Sequence, residues 1–442
     1  MNIPQIGVST FIKHYFLSKR CNYRTLDSLH KIYGTSFSIK LPSGRRVHYN
    51  QDPTFLLKIL SAPEQLFPKV SLALEASVYL GQGIITSTGK TWKRQRVAIQ
   101  PIFNRSSLST LQSEIELELK AYRSELALCI KASPQGYVER SIEAELHSVV
   151  LRIALRLFFG EVDEQERQII PRTISLGMDY LSQGLVNLKW FRFGMRAEIK
   201  KGIHTINRVL RQNLDRPVES LTAFQKILKS QYSSSEEHQQ ELRDNCLSML
   251  FASYETTGTT LTWLFSILAE QGLVYRKLEQ MFQGAEPLSL ADIERIDSQE
   301  LLKRSLCETL RLYPPPWTLV RGVTEATEMG GHDLKSGDQV LLPIYAMHRD
   351  PGIWAHPDTF DPERFGSYQE VLENAKQGRW LPFAAGVRSC IGRELALAEM
   401  QTITANLIRE FRFEGAASNN LVPRFHLFLR PPKGNRMRIY LR

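Results

Sequence analysis

From Trp92 to about Leu273 the chain is written almost entirely in helical periods, with apolar residues three and four apart and few Pro or Gly to interrupt them. Most of the mass is therefore helical. Shorter stretches on either side read as strand. Residues 37–40 and 46–49 flank a Pro42-Ser43-Gly44 turn and predict a hairpin. After Pro314-Pro315-Pro316 the text shifts toward strand and loop, with 339–344 as the clearest extended run and Pro and Gly crowding residues 348–386. Helix returns after Cys390, where Ala396, Met400, Ile403, Leu407 and Phe411 recur at helical spacing and predict an amphipathic helix. A further apolar run covers 425–429. No internal repeat and no flexible linker is visible, so the expectation is one mainly α domain with a smaller β region over residues 1–442.

With 43% hydrophobic and 23% charged residues, the chain is an ordinary folded protein by composition. Its formal net charge of +10 suits nucleic acid, an anionic membrane surface or an acidic protein partner. The basic residues are spread along the chain without a long Lys/Arg run, which argues against nucleic acid. Cys21, Cys129, Cys246, Cys307 and Cys390 are odd in number, far apart and form no C-x-x-C pair, which argues against a disulfide framework or a zinc site. Near the start, Ile12, Tyr15, Phe16 and Leu17 are apolar, but Lys13, Lys19 and Arg20 interrupt well short of the roughly 20 residues a membrane span needs. Residues 1–30 thus read as an N-terminal extension with neither signal peptide nor anchor. The expectation is a soluble cytoplasmic protein, with weak peripheral membrane contact left open.

One cysteine stands apart. Residues 383–392, Phe-Ala-Ala-Gly-Val-Arg-Ser-Cys-Ile-Gly, place the Cys390 thiol in a Gly-bounded loop directly before a helix. A helix N-terminus favours an adjacent anion, Arg388 adds to that, and backbone N–H groups of the turn can donate to sulfur. Gly386 and Gly392 permit a tight turn and close approach of a flat ligand. For the other four cysteines the role of a small buried hydrophobe is the better reading. The pattern F-x-x-G-x-R-x-C-x-G closely resembles the haem-binding loop of the cytochrome P-450 family. The resemblance implies that Cys390 is the axial ligand of iron in haem b (iron protoporphyrin IX), with Phe383, Gly386, Arg388 and Gly392 holding the cofactor. A thiolate ligand pushes electron density toward bound oxygen and favours O–O cleavage.

Residues 247–268 read as a long apolar helix whose middle is Ala252-Ser253-Tyr254-Glu255-Thr256-Thr257-Gly258. A carboxylate buried there is costly unless it is paired, hydrated or used. Thr256 can return its hydroxyl to the carbonyl of Ala252, bending the helix and opening a pocket. The bland alternative is a Glu255 that faces solvent. The run resembles the family's oxygen-activation motif, small-Gly-x-acid-Thr, which implies that Glu255 and Thr256 organise proton delivery. Ser253 stands where the family usually has Gly, which places the shape of the oxygen groove in question.

Glu308 and Arg311 are three apart and can meet on one helical face. Such pairs are common, but Leu312-Tyr313-Pro314-Pro315 follows at once and Asp361-Pro362-Glu363-Arg364-Phe365 comes later, matching family landmarks in order. The resemblance implies that Glu308, Arg311 and Arg364 form a buried network serving folding rather than chemistry. It also implies that Arg96, Arg321 and Arg388 clamp the two haem propionates, with the Trp92 indole N–H adding a donor.

The likeness covers the chain from about Pro53 onward and places the haem between the long central helix and the helix after Cys390. It implies a monooxygenase that activates dioxygen with two externally supplied electrons and hydroxylates or epoxidises a medium-sized hydrophobic substrate, such as a fatty acid, terpenoid or polyketide intermediate. No flavin or iron–sulfur domain is fused, so a separate donor, an acidic ferredoxin or flavodoxin with its reductase, is expected at a face bearing Lys93, Arg94 and Arg393. Substrate walls are expected from residues 70–85, 176–193, 316–320 and 425–428. Other readings are a peroxygenase, an isomerase or dehydratase, an oxidative coupling enzyme, or a haem-based gas sensor or carrier. The Glu255–Thr256 pair argues against the enzymes that do not use dioxygen, and the lack of a visible output module against the sensor.

Overall fold

A computed structural model describes residues 3–17, 22–70, 76–77, 80–103, 105–182, 192–230, 236–284, 287–297, 300–415 and 421–442. Lys19, Arg20, Cys21 and parts of two expected substrate walls, 71–75, 78–79 and 183–191, lie outside the described residues. In chain order the helices that position the site are α1 (Val8–Leu17), α2 (Asn22–Tyr33), α3 (Pro53–Ser61), α4 (Gly89–Ile99), α5 (Arg105–Ala132), α6 (Ile142–Phe158), α7 (Glu236–Glu270), α8 (Leu301–Leu312) and α9 (Arg393–Glu410). The fold is mainly helical with small sheets, as the periodicity predicts.

The chain divides into two compact units, each assembled from non-contiguous segments. The first takes the described residues within 1–71 together with Cys307–Cys390 and Pro423–Arg430. Its sheet joins β1 (Gln5–Gly7), β2 (Ser36–Lys40), β3 (Arg46–Asn50), β8 (Gln339–Leu342) and β5 (Leu319–Gly322) in that spatial order. The expected hairpin is β2–β3, paired antiparallel from Ser36↔Asn50 to Lys40↔Arg46 and closed by a turn with Gly44 at φ +82°. β1 and β8 add on in parallel, so segments just over 290 residues apart in sequence share one sheet through Val47↔Gln339. Two short hairpins complete the unit, β6 (Thr327–Met329) with β7 (His332–Leu334) and β10 (Arg424–Phe425) with β11 (Leu429–Arg430). The extended run expected over 339–344 ends at Leu342. Pro343 cannot donate to a ladder, and Ile344–Met347 turns into a short helix instead.

α3 shows how local chemistry sets an element in this unit. Asp52 caps it by accepting the Phe55 N–H, Pro53 occupies its first turn, and Phe55, Leu56, Ile59 and Leu60 form the buried stripe. That stripe packs with Val340, Leu342, Ile344 and Leu381 in one apolar cluster.

The second unit takes the described residues within 72–306, Ile391–Val422 and Pro431–Arg442. α6 and α7 lie against each other along much of their length. A Cβ on Gly258 would sit 2.7 Å from the His147 ring carbon, so glycine is what allows this approach. A three-stranded antiparallel sheet, β4 (Tyr137–Ser141), β12 (Arg436–Leu441) and β9 (Phe411–Gly415), closes the unit. α9 is not amphipathic in its surroundings: Leu395 and every residue from Leu397 to Ile408 are buried, polar Gln401, Thr402, Thr404 and Asn406 included. Thr402 and Asn406 back-bond into the helix and pair with α5 through Gln112 and Arg123, which lets these two polar side chains sit inside, whereas the Thr404 hydroxyl and one oxygen of the buried Glu399 make no hydrogen bond among the described residues.

Candidate active site

The cysteine loop is built by its own backbone. Ala384 at φ +55° and Gly386 at φ +68° bend the chain, and the Cys390 N–H donates to the Phe383 carbonyl at 2.9 Å, closing the loop on itself. The Cys390 side chain is left exposed at its end, three residues before α9. Gly386 is fixed by packing as well as by its dihedral, because a Cβ there would overlap the carbonyl of Leu60 in α3. Gly392 behaves differently from expectation. It caps α9 at φ −91°, a conformation open to any residue, and a Cβ at this position would have its nearest neighbour 3.6 Å away on Phe103. The turn therefore needs one of its two glycines.

Behind the loop Trp380 is buried, donates its indole N–H to the Cys307 carbonyl at 3.1 Å, and lies 5.8 Å from the Phe383 ring. Deeper still is the ion network. Glu308 receives both forks of Arg311, at 2.7 and 2.8 Å, and the Arg364 Nε at 3.2 Å, with the Asp361 N–H on the same carboxylate. Arg311 donates its remaining N–H groups to the carbonyls of His348, Pro357 and Thr359. Both Glu308 and Arg311 are fully buried, so this is a paired and hydrogen-bonded interior network of the kind that burial tolerates. The three residues expected together are together.

His348 joins this network without any motif to announce it. Its Nδ1–H donates to the Arg311 carbonyl at 3.0 Å, and its Nε2 accepts the Leu381 N–H at 2.9 Å. Both bonds require the neutral ring, and burial, followed by the Arg311 charge, holds its pKa well below the ordinary histidine value. The signal in sequence is faint: a histidine in an Ala-Met-His-Arg-Asp stretch gives no hint of partners 37 residues before and 33 after it.

Arg321 and Arg388 also come together in this unit, joined by two residues that no sequence pattern singles out, Glu64 and Lys69. Arg388 pairs with Glu64, and Arg321 faces Lys69 across an isolated β-bridge. Burial, then Arg388 and Arg321, push the Lys69 ammonium down to about 7, and burial and Arg388 lower Arg321 likewise. Three basic side chains thus share one carboxylate in a small pocket also lined by Leu60 and Val387. Such an excess of positive charge suits a ligand bearing two carboxylates, and the residues fit a haem through its propionates.

In the second unit, Trp92 and Arg96 stand one turn apart on α4, Trp92 buried and Arg96 partly so. Lys93 and Arg94 are exposed, and Arg94 pairs with Glu241. α7 runs unbroken over 35 residues, longer at both ends than expected. Glu255 is only 2% exposed, which excludes the solvent-facing alternative. The Thr256 hydroxyl donates to the Ala252 carbonyl at 2.6 Å, and Ser253 back-bonds to Leu250 at 3.3 Å. Thr260, Thr262 and Ser266 repeat the back-bond and so have their donors satisfied, whereas the buried hydroxyls of Ser248, Thr257 and Thr259 in the same helix make no hydrogen bond among the described residues.

A mainly helical fold with a closed thiol loop and a buried acid next to a partly buried alcohol in the longest described helix is the pattern of haem-thiolate oxygenases. The chain belongs to the cytochrome P450 family, whose model matches residues 3–439. It is therefore a haem-containing monooxygenase of the kind that works with a redox partner. Among curated relatives it is 25% identical to "Cyclooctatin synthase" of Streptomyces melanosporofaciens over 79% of this chain and 77% of that protein. It is 24% identical to "Cyclooctat-9-en-7-ol 5-monooxygenase" of the same organism, over 84% and 80%. The crystal structure of the "cytochrome P450DA heme domain" superposes with a TM-score of 0.81 at 19% identity, covering 97% of this chain and 95% of that one. No described helix is long and apolar enough to cross a membrane.

Proposed function

We propose that this chain is a single-domain cytoplasmic monooxygenase that takes two electrons from a separate acidic ferredoxin or flavodoxin and hydroxylates or epoxidises a medium-sized hydrophobic molecule. In this reading Cys390 would ligate the haem iron, and Phe383, Gly386 and Gly392 would shape the loop that receives the cofactor. Arg321 and Arg388, with Trp92 and Arg96, hold the propionates. When bound, the haem supplies a thiolate-ligated iron that activates dioxygen. The protein's share is to exclude water, to hold the substrate near that iron and to deliver protons from the Glu255 carboxyl and the Thr256 hydroxyl.

The observation that carries this reading is the burial of Glu255 next to Thr256, at the acid and alcohol positions of the run that resembles the family's oxygen-activation motif. A hydrophobic substrate agrees with the relative named for oxidising an unsaturated alcohol, and the net positive charge favours encounter with an acidic donor.

The test is the absorption spectrum of the dithionite-reduced protein under carbon monoxide, for wild type and Cys390→Ser. A strongly red-shifted Soret band that the variant loses supports the ligand assignment. A band at the shorter wavelength of imidazole or neutral-thiol ligation in folded wild type overturns it.

A further inference from the structure

Gly258 makes room on α7 for one side chain of α6, the imidazole of His147. A Cβ on Gly258 would lie 2.7 Å from the ring's Cδ2, 2.9 Å from Cγ and 3.0 Å from Nε2, so one edge of the ring rests where the side chain of residue 258 would stand. Side chains on a helix lean toward its N-terminus, so that spot lies over the preceding turn, which carries Tyr254 and Glu255. The Tyr254 ring bears out the placing, since it meets the imidazole edge-on with centroids 5.4 Å apart. Glu255, three before Gly258, is the next residue on the same turn.

The ring's orientation is set from α6. Nδ1 lies 2.8 Å from the Glu143 carbonyl, and a carbonyl only accepts, so Nδ1 carries a hydrogen. The nitrogen left to gain and lose a proton is Nε2, on the edge that faces α7. Water reaches the ring more readily than the acid: His147 keeps 8% of its surface exposed and Tyr254 is half-buried, against 2% for Glu255. Other ionisable groups of α6 are committed to partners on α5 or β4, Glu145 to Tyr122 and Arg140, Arg152 to Glu125 and Arg156 to Glu114. A carboxyl as buried as Glu255 has little bulk water from which to replace a proton it gives up. Histidine is the side chain whose charge changes near neutral pH, which suits it to reload such an acid.

We propose that His147 is the proton source behind Glu255. Its Nε2–H bond breaks as the carboxyl O–H of Glu255 forms, directly or through one water, and the neutral ring then takes up a proton from solvent. The inference rests on the reading of Glu255 as the acid that delivers protons.

The experiment follows oxygen consumption by the haem-loaded protein without added substrate, driven by NADPH, a ferredoxin and its reductase, in light and in heavy water. His147→Gln should slow it by about tenfold or more and enlarge the solvent isotope effect, with an unchanged thermal melt and carbon monoxide spectrum. Glu255→Gln should do the same, and the double variant should be no slower than the slower single one, because both residues act on one proton. Gly258→Ala keeps the histidine but fills its seat, and should reproduce the loss. A readout free of turnover is nitrogen NMR of histidine-labelled protein in its reduced, carbon-monoxide-bound form, where the signals missing from His147→Gln are those of the ring. The Nε2 signal should move on Glu255→Gln while Nδ1, held by the Glu143 carbonyl, stays. His147→Gln at the wild-type rate beside a slowed Glu255→Gln overturns the proposal and leaves the Glu255 assignment standing. Wild-type rates in both variants end the two together. Ring signals indifferent to Glu255→Gln also overturn it, and assign any slowing in His147→Gln to packing.

Discussion

The Nε2 of His348 accepts the backbone N–H of Leu381 at 2.9 Å, while its other nitrogen donates to the carbonyl of Arg311. One neutral ring thus joins the Glu308–Arg311 network to the strand of chain that leads into the cysteine loop. Replacing it with Leu would leave a buried N–H and a buried carbonyl without their partner, at a cost of about 2–5 kcal/mol. Thermal unfolding should show this loss for His348→Leu. The same variant should give a weaker thiolate-type Soret band, because the loop is no longer pinned. A variant that melts like wild type would remove the ring from this role.

The two loop glycines should rank differently. Gly386→Ala combines a left-handed backbone with overlap on the Leu60 carbonyl, and should cost about 2–5 kcal/mol. Gly392→Ala meets neither problem and should cost under about 1 kcal/mol. Paired melting curves of the two variants decide the ranking, and equal losses would contradict it.

Lys69 links the cationic pocket to pH. Its ammonium is pushed down to about 7 by burial and by Arg388 and Arg321, so a ligand with two carboxylates must favour its charged form. Haem binding above that pH should therefore take up a proton. The rate of haem transfer to apomyoglobin should rise between about pH 7 and 10, and Lys69→Met should flatten that rise. A pH-independent transfer rate in wild type would place the propionates elsewhere.

Acid should weaken the first unit through a second buried cluster. His48 Nδ1 lies 3.0 Å from His332 Nδ1, His48 Nε2 is 3.0 Å from Asp338, and His332 Nε2 meets Ser36 at 2.7 Å. Arg46 and Asp333 are the other charges that act on His48. Burial, then His48 and Arg46, push His332 down to about 4, and burial lowers His48. Each ring stays neutral in the fold while its unfolded counterpart protonates near 6.5, so stability is full above that pH. It falls as pH drops toward 4, with a slope of up to about 1.4 kcal/mol per pH unit from His332, and His48 adds to the loss in the same direction. Thermal melts from pH 7 to 4 should show this, and His332→Gln should show a shallower slope.

Thr256→Ala removes the hydroxyl that back-bonds to Ala252 without touching the helix ladder. With a reductase and NADPH, substrate oxidation should fall roughly tenfold or more while NADPH consumption continues and hydrogen peroxide accumulates. Full coupling in the variant would end the proton-delivery assignment.

What is legible in the sequence depends on whether a signal is local. The cysteine loop, the Glu308–Arg311 pair and the Glu255–Thr256 run can be read because their identities and spacings are packed into a few residues. The strand expected over 339–344 is too long because apolar character continues past Pro343 while the ladder cannot. α9 has an amphipathic text because Gln401, Thr402, Thr404 and Asn406 are polar, yet helix packing on all sides buries them. Lys69 and His348 carry no warning, since each gains its meaning from partners brought in by the fold. The basic residues are indeed spread along the chain. What is uneven is the acids, nearly missing from the first 50 residues.

The pairing of β3 with β8 has a consequence for how the protein is made. The first unit begins with the N-terminal segment and is completed only by residues after Cys307, about 235 residues later. At a synthesis rate of roughly 5–20 residues per second, the β1–β2–β3 half-sheet waits some 15–60 s at the ribosome with the β3 edge unpaired. An open edge is a template for wrong partners. Yield in the cell should therefore respond to chaperone supply and to translation speed across this gap, even where the finished protein is stable.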